Sequence, residues 1–213
     1  MKNELIIISG GMDSVTLLHK EKKNIKMALS FYYGQKHSKE IQFAKWNCDN
    51  LNIPWHMIDI SVLTPFLKSN LLQTGGEIPE GHYEDENQKQ TVVPFRNGIM
   101  LSIAGGIAES NDCKYVLIAN HAGDHAIYPD CREDFIIHMS ESMFEGTYKH
   151  IQIDAPFTLK TKREIALIGK RLEIDYSKTW TCYKGKEIHC GKCGACTERK
   201  EALKGFDNTT YEQ

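Results

Sequence analysis

The stretch Leu5-Ile6-Ile7-Ile8-Ser9-Gly10-Gly11-Met12-Asp13-Ser14-Val15-Thr16 narrows the fold more than any other part of the chain. Four consecutive aliphatic residues read as a buried strand, Ser-Gly-Gly breaks the period, and Leu17 and Leu18 resume it at helical spacing. A strand therefore runs into a helix through a glycine-rich turn. Such a turn aims several backbone N–H groups and the positive end of a helix dipole at one spot, which makes an anion site. Gly10 and Gly11 let a phosphate approach the backbone, and the hydroxyls of Ser9, Ser14 and Thr16 add hydrogen bonds. Ser9, Gly10, Gly11, Met12, Asp13, Ser14, Val15 and Thr16 are thus the expected nucleotide-binding set. No Gly-Lys-Ser/Thr closes the turn, so the lysine that draws out a γ-phosphate is missing. Asp13 stands there instead, and an acid facing a polyphosphate calls for a Mg²⁺ between them.

The apolar runs that follow continue the pattern. A helix over about 12–22 leads to a strand at 25–31, a helix at 38–51 and a strand at 54–60. This β-α-β-α-β rhythm predicts parallel strands, right-handed crossovers and a doubly wound α/β sheet, with ligands at the carboxyl ends of its strands. That edge receives Tyr32-Tyr33-Gly34-Gln35-Lys36-His37 from the second strand. Residues 64–92 have weak periodicity, and the polar run from Glu77 to Gln88 reads as a lid or a disordered segment with a solvated acidic face. Val92-Val93-Pro94-Phe95-Arg96-Asn97 opens a helix over 97–110, in which Gly105 and Gly106 imply close approach by another backbone. Lys114 to Asn120 reads as a fourth strand that delivers His121-Ala122-Gly123-Asp124-His125 to the same edge. Tyr128-Pro129-Asp130-Cys131-Arg132 then starts a helix with Asp130 as its N-cap, His150 to Ile153 forms a fifth strand, and Thr161-Lys162-Arg163-Glu164-Ile165 opens the last helix of the domain.

With 213 residues the chain can bury one good core and carry a small appendage. The expected division is a catalytic domain over 1–178 and a metal-binding segment over 179–213 packed on it. A formal net charge of −2 argues against a broad phosphate-binding surface, so nucleic acid is not the default partner. No basic and apolar leader and no 18-residue apolar run is evident, which makes the cytoplasm the expected compartment. Three of the seven cysteines are scattered, whereas Cys182-x7-Cys190-x2-Cys193-x2-Cys196 bunches the other four. Four thiolates close a tetrahedral site unaided, so the expectation is a structural Zn²⁺ with no open position for substrate. A [4Fe–4S] cluster uses the same ligand type, although the ferredoxin run spaces its fourth cysteine differently, and His189 is able to replace one cysteine.

The pattern Ser-Gly-Gly-x-Asp-Ser resembles the PP-loop of the ATP-pyrophosphatase superfamily, whose members cleave ATP to AMP and pyrophosphate. Joined to Tyr33-Gly34-Gln35-Lys36-His37, Val93-Pro94-Phe95-Arg96-Asn97, Tyr128-Pro129-Asp130-Cys131-Arg132, Thr161-Lys162-x-Glu164-Ile165, Cys182-Tyr183 and the cysteine cluster, it resembles the QueC family of queuosine biosynthesis from Ser9 to Arg199. Phe95 stands where many members carry glycine, and Lys160 has no counterpart. The resemblance implies a Rossmann-like sheet of about five strands, of the adenine nucleotide alpha hydrolase type, and a homodimer that uses ATP, Mg²⁺ and Zn²⁺. It implies conversion of 7-carboxy-7-deazaguanine and ammonium to the nitrile through the amide. The chemistry fits a PP-loop, because neither carboxylate nor amide oxygen leaves unaided and each must first become a phosphate ester. Among the implied catalytic residues, Lys36, Arg96 and Lys162 neutralise the α-phosphate or the substrate carboxylate, and Asp13 meets Mg²⁺. Asp124 and Asp130 accept guanine-type N–H groups or hold Mg²⁺, His37 acts as a base toward ammonium, and Cys131 is a buried small residue rather than a nucleophile.

Three other readings stand beside this one. A tRNA-thiolating PP-loop enzyme would need a basic tRNA-binding domain and an exposed catalytic cysteine pair. A QueC-like paralogue would stop at the amide or conjugate the deazaguanine to a protein with the same motifs. A zinc-dependent binding module with a degenerate nucleotide site is opposed by the intact Ser9, Gly10, Gly11, Asp13 and Ser14.

Overall fold

In the computed structural model, which describes residues 2–82 and 85–212, the N-terminal aliphatic run forms strand β1 (Glu4–Ile7) at the middle of a five-stranded sheet. It is followed by α1 (Met12–Glu21), β2 (Ile25–Tyr32), α2 (Lys39–Asn50), β3 (Trp55–Asp59), α3 (Arg96–Ser110), β4 (Tyr115–Leu117), α4 (Glu133–Glu145), β5 (Gln152–Asp154), α5 (Lys162–Arg171) and α6 (Gly194–Ala202). All strand pairs are parallel in the order β3-β2-β1-β4-β5, with Leu5 opposite both Met27 and Val116. Side chains of a strand alternate between faces, and β1 is apolar on both because both are covered. Leu5 packs in a cluster with Leu29, Leu101 and Ala104, whereas Ile6 packs on the other face with Val15, Leu18, Ala44 and Ile165. The chain winds outward through β2 and β3 on one side and β4 and β5 on the other, so the winding reverses between β1 and β4. In an open α/β sheet the crevice at such a reversal is where ligands bind.

Several expectations change. β4 ends at Leu117, so Ile118 to Asn120 already belong to the crevice wall. Asp130 does not cap the helix that follows it. It sits in a single 3-10 turn, Pro129–Cys131, and its Oδ2 accepts a hydrogen bond from Asn97 N at 2.8 Å, capping the start of α3 instead. The left-handed Phe95 (φ 53°) precedes α3 and supplies no side-chain cap, and the buried Asp130 fills that need. Gly105 makes room for the thioether of Met143 on α4 rather than for a backbone, and nothing lies within 4 Å of a Cβ at Gly106. Residues 64–92 are no lid: Leu71 and Leu72 are buried, Leu72 bridges to Gln35, and Glu80 bridges to Cys193. Tyr83 and Glu84 of the polar run lie outside the described residues. Among the described residues one helical stretch, Glu86–Ser110, is long and apolar enough by composition to cross a membrane, but half of its most apolar window is buried as a core helix.

The C-terminal residues are woven into this frame. Trp180 N donates to Gly10 O at 2.9 Å. Arg199 on α6 is fully buried and donates to Thr179 Oγ1, Thr181 Oγ1, Tyr176 O and Thr209 Oγ1 at 2.6–2.9 Å. Four such bonds offset the cost of taking a guanidinium out of water.

Candidate active site

The crevice at the β1/β4 reversal holds a cavity of about 200 Å³, lined by the Ser9–Ser14 turn, the ends of β1 and β2, residues 118–121 after β4, and Trp180 to Tyr183. Within the turn, Gly10 has φ +93°, and a Cβ there would overlap the Glu40 carbonyl oxygen and lie 2.7 Å from Ala44 N. Glycine is required because α2 packs directly on the turn. Ser14 Oγ accepts from Ser9 N and Gly10 N at 3.3 Å, and Ser9 Oγ accepts from Gly11 N at 3.1 Å. The two hydroxyls thereby hold the turn in an open cradle. Among the described residues no side chain caps α1, whose first turn carries Met12, Asp13 and Ser14 along the cavity wall. Uncapped N–H groups and the dipole of a ten-residue helix favour an anion there.

Two polar clusters flank this cradle. In the first, Lys162 at the start of α5 lies 3.4 Å from Asp13 Oδ2 and 2.9 Å from Glu198 Oε2 of α6. Burial works against its charge, but Asp13, Glu198 and Asp124 outweigh that and raise its pKa, so Lys162 stays an ammonium. His121 lies 3.8 Å from Asp13 Oδ2 and 3.6 Å from Asp124 Oδ1, and its Nδ1 accepts from Gly123 N at 3.1 Å. The Lys162 ammonium lies 3.4 Å from the His121 Nε2. Asp124 Oδ2 is engaged by His121 N at 3.2 Å. Asp13 is not on an open surface turn: its side chain is 18% exposed, and Oδ1 is buried without a hydrogen-bond partner among the described residues.

The second cluster gathers Tyr33, His37, Glu40 and Arg96. Arg96 donates to Tyr33 OH at 3.2 Å. His37 Nε2 is 3.4 Å from Glu40 Oε1, which also accepts from Gln35 Nε2 at 3.5 Å. Burial, assisted by the Arg96 charge, lowers the His37 pKa to about 3, so its imidazole is held neutral and is a weak base. Burial also raises the Glu40 carboxyl to about 8 against the opposing pull of Arg96 and Gln35. Burial lifts the Cys131 thiol well above its ordinary value, and Asn97 Nδ2 donates to its sulfur at 3.1 Å, in keeping with a structural residue.

Of the residues expected at the site, Ser9, Gly11, Met12, Asp13, Ser14, His37, Arg96, Asp124 and Lys162 line the cavity. Lys36 does not: its ammonium reaches the carbonyl of Gly75 at 3.0 Å and that of Gly76, pinning a surface loop. Asp130 stands behind Asn97. Val15 is in the core, and Thr16 is buried against Met12 O and Tyr176 OH, because both point inward from α1. Glu40, His121 and Glu198 are the additions. Glu40 reads in sequence as an ordinary acid in the first turn of a helix, and Glu198 lies on a helix that no apolar period announces.

The sulfurs of Cys182, Cys190, Cys193 and Cys196 all lie within 4.8 Å of one another, buried beside the cavity's Trp180–Tyr183 wall. Cys182 Sγ accepts from Cys190 N, and Cys190 Sγ accepts from Lys192 N and Cys193 N, at 3.4–3.5 Å. Backbone donors aimed at sulfur favour thiolates, and the set can hold a metal. His189 is excluded from it: its Nε2 accepts from Thr181 N at 3.2 Å, and its ring packs between Trp180 and Tyr211.

The family model described as queuosine biosynthesis protein QueC matches residues 3–207. A 7-cyano-7-deazaguanine synthase of Porphyromonas gingivalis is 52% identical over 215 residues, spanning 99% of this chain and 98% of that protein. Another of that name, from Desulfotalea psychrophila, is 48% identical over 217 residues, spanning 99% of each. The solved NMN synthetase of Francisella tularensis superposes with a TM-score of 0.50 at 15% identity, over 88% of this chain and 69% of that one, a likeness of fold. The glycine turn at a parallel-sheet reversal, the paired clusters beside it, the four-cysteine knot and these matches lead to one assignment: the chain belongs to the QueC family of queuosine biosynthesis proteins.

Proposed function

We propose that this chain makes 7-cyano-7-deazaguanine from 7-carboxy-7-deazaguanine and ammonia in the cytoplasm, using two ATP that are each cleaved to AMP and pyrophosphate. The observation that carries the reading is the lysine-free cradle Ser9–Ser14 opening on a buried cavity in which Asp13 is held against Lys162. A carboxylate oxygen attacks the α-phosphorus of ATP, pyrophosphate leaves, and ammonia displaces AMP to give the amide. The amide oxygen then attacks a second α-phosphorus with departure of pyrophosphate, and loss of AMP together with both protons of the nitrogen forms the C≡N bond.

In this mechanism the cradle binds the polyphosphate through its N–H groups, with phosphate oxygens taking donors that the Ser9 and Ser14 hydroxyls now occupy. Lys162, kept charged by its neighbours, neutralises the α-phosphate, and Glu198 and Asp13 hold its ammonium in place. Mg²⁺, when bound, cancels charge on the departing pyrophosphate. Asp13 and Asp124 would hold it, and the unpartnered Asp13 Oδ1 fits that duty. The four cysteines suit Zn²⁺ as a structural ion that anchors 179–213 on the domain formed by 1–178. Chromatography of the nucleotide products tests the reading: AMP and pyrophosphate at two per nitrile support it, and ADP as the main product rejects it.

A further inference from the structure

Resting on that reading, we propose that Glu40 and Arg96 form the subsite that recognises the ring of the substrate, by its guanine-type edge. That edge presents two N–H donors, the ring N–H and the exocyclic amine, next to a carbonyl oxygen. Its complement is a carboxylate beside a cation. The second cluster supplies this pair on the cavity wall, away from the Lys162 group that serves the phosphate.

The remaining cavity carboxylates belong to the Lys162 cluster, where the open Asp13 Oδ1 is assigned to the metal ion. Asp124 accepts from His121 N, and Asp13 faces Lys162. Asp130, a second acceptor that the sequence suggests, is used up at the start of α3. Glu40 keeps an open oxygen: Gln35 and His37 approach Oε1, and Oε2 has no partner among the described residues. Among the described residues Arg96 makes one hydrogen bond there, to Tyr33 OH, which leaves guanidinium donors for a carbonyl oxygen. Burial of both groups strengthens any bond they make, and an unpaired buried carboxyl oxygen penalises a ring that lacks the donors. A ring held by this edge has its amine beside Glu40 and its reacting carboxylate, which neighbours the ring carbonyl, on the Arg96 side and away from Glu40. The cradle and Lys162 lie on the rest of the same cavity wall.

Calorimetric titration of the zinc-loaded full chain, without ATP and at a pH of about 9, where Glu40 is ionised, tests this independently of turnover. The probes are 7-carboxy-7-deazaguanine and its analogue lacking the exocyclic amine. The expected result is at least about tenfold tighter binding of the amine-bearing ring by the wild type, in line with the loss of a hydrogen bond to a charged group. In Glu40→Gln that preference should fall below about threefold. Equal binding of the two rings by the wild type overturns the inference, as does a preference that survives in Glu40→Gln. The wild-type ratio decides even if the variant does not fold. Preferential binding without AMP release under turnover conditions would leave the subsite standing and remove the nitrile reading alone.

Discussion

Replacing Glu40 by glutamine should change how the stability of the fold depends on pH. The folded chain keeps the Glu40 proton up to about pH 8, whereas the unfolded chain releases it near 4.5. A group with a raised folded pKa stabilises fully below its unfolded value and loses that contribution as pH rises through the folded one. At 1.36 kcal/mol per pH unit, the interval from 4.5 to 8 amounts to about 5 kcal/mol, as large as the whole stability of many domains. His37 and His189 run the other way. Burial leads the causes that lower both to about 3 from 6.5, so their contribution is present above 6.5 and lost as pH falls. The opposing arms overlap between 4.5 and 6.5, which leaves the interval from 6.5 to 8 to Glu40, at about 2 kcal/mol. The groups facing it, Arg96, His37, Gln35 and Tyr33, do not titrate in that interval. Urea unfolding of zinc-saturated wild type and Glu40→Gln at pH 6.5 and 8.5 should show the variant gaining about 2 kcal/mol on the wild type over that step. A gap that stays constant with pH would refute the reasoning, because it would mean that Glu40 is already ionised in the folded protein.

Three further outcomes follow from the geometry. Cys193→Ser should lower zinc content and melting temperature together, since structural zinc peptides gain about 10–16 kcal/mol from their ion, and metal loss with unchanged melting would contradict a structural role. Gly10→Ala should cost several kcal/mol, on the order of 3 or more, because it adds a left-handed strain to an overlap with the α2 backbone; a melting temperature within a few degrees of wild type would show that α2 does not rest on the turn. Lys36→Met should cost only about 1 kcal/mol and leave kcat within about threefold, because its ammonium holds the Gly75 and Gly76 carbonyls; a hundredfold loss of kcat would return it to the reaction centre.

The sheet was legible because β1 combines an unbroken aliphatic run with a glycine break, and β-α-β rhythm leaves few topologies. The cysteine spacing likewise announced its knot. Less was legible where a residue's duty is fixed by a distant partner. Asp130 reads as the cap of the helix beside it but caps α3, 33 residues earlier. Lys36 sits inside a motif that points toward the cavity, yet its long side chain turns to a loop carbonyl 39 residues away. Glu40 and His37 are hard to read for the same reason, since burial, which no local pattern encodes, raises the pKa of one against the pull of Arg96 and, helped by Arg96, lowers that of the other. Residues 64–92 remain irregular chain, yet they pack where a lid or a disordered segment was expected, because scattered side chains such as Leu71 and Gln88 find cover without any period.

In the proposed reaction one cavity activates the same carbon twice, by adenylating first its carboxylate oxygen and then its amide oxygen. The most direct test is mass spectrometry of the quenched reaction of purified protein with 7-carboxy-7-deazaguanine, ammonium, Mg²⁺ and ATP. The account predicts free nitrile with only transient amide, and nitrile from synthetic amide at one ATP per turnover. Amide accumulating as the end product, or the deazaguanine found attached to a protein, would contradict it.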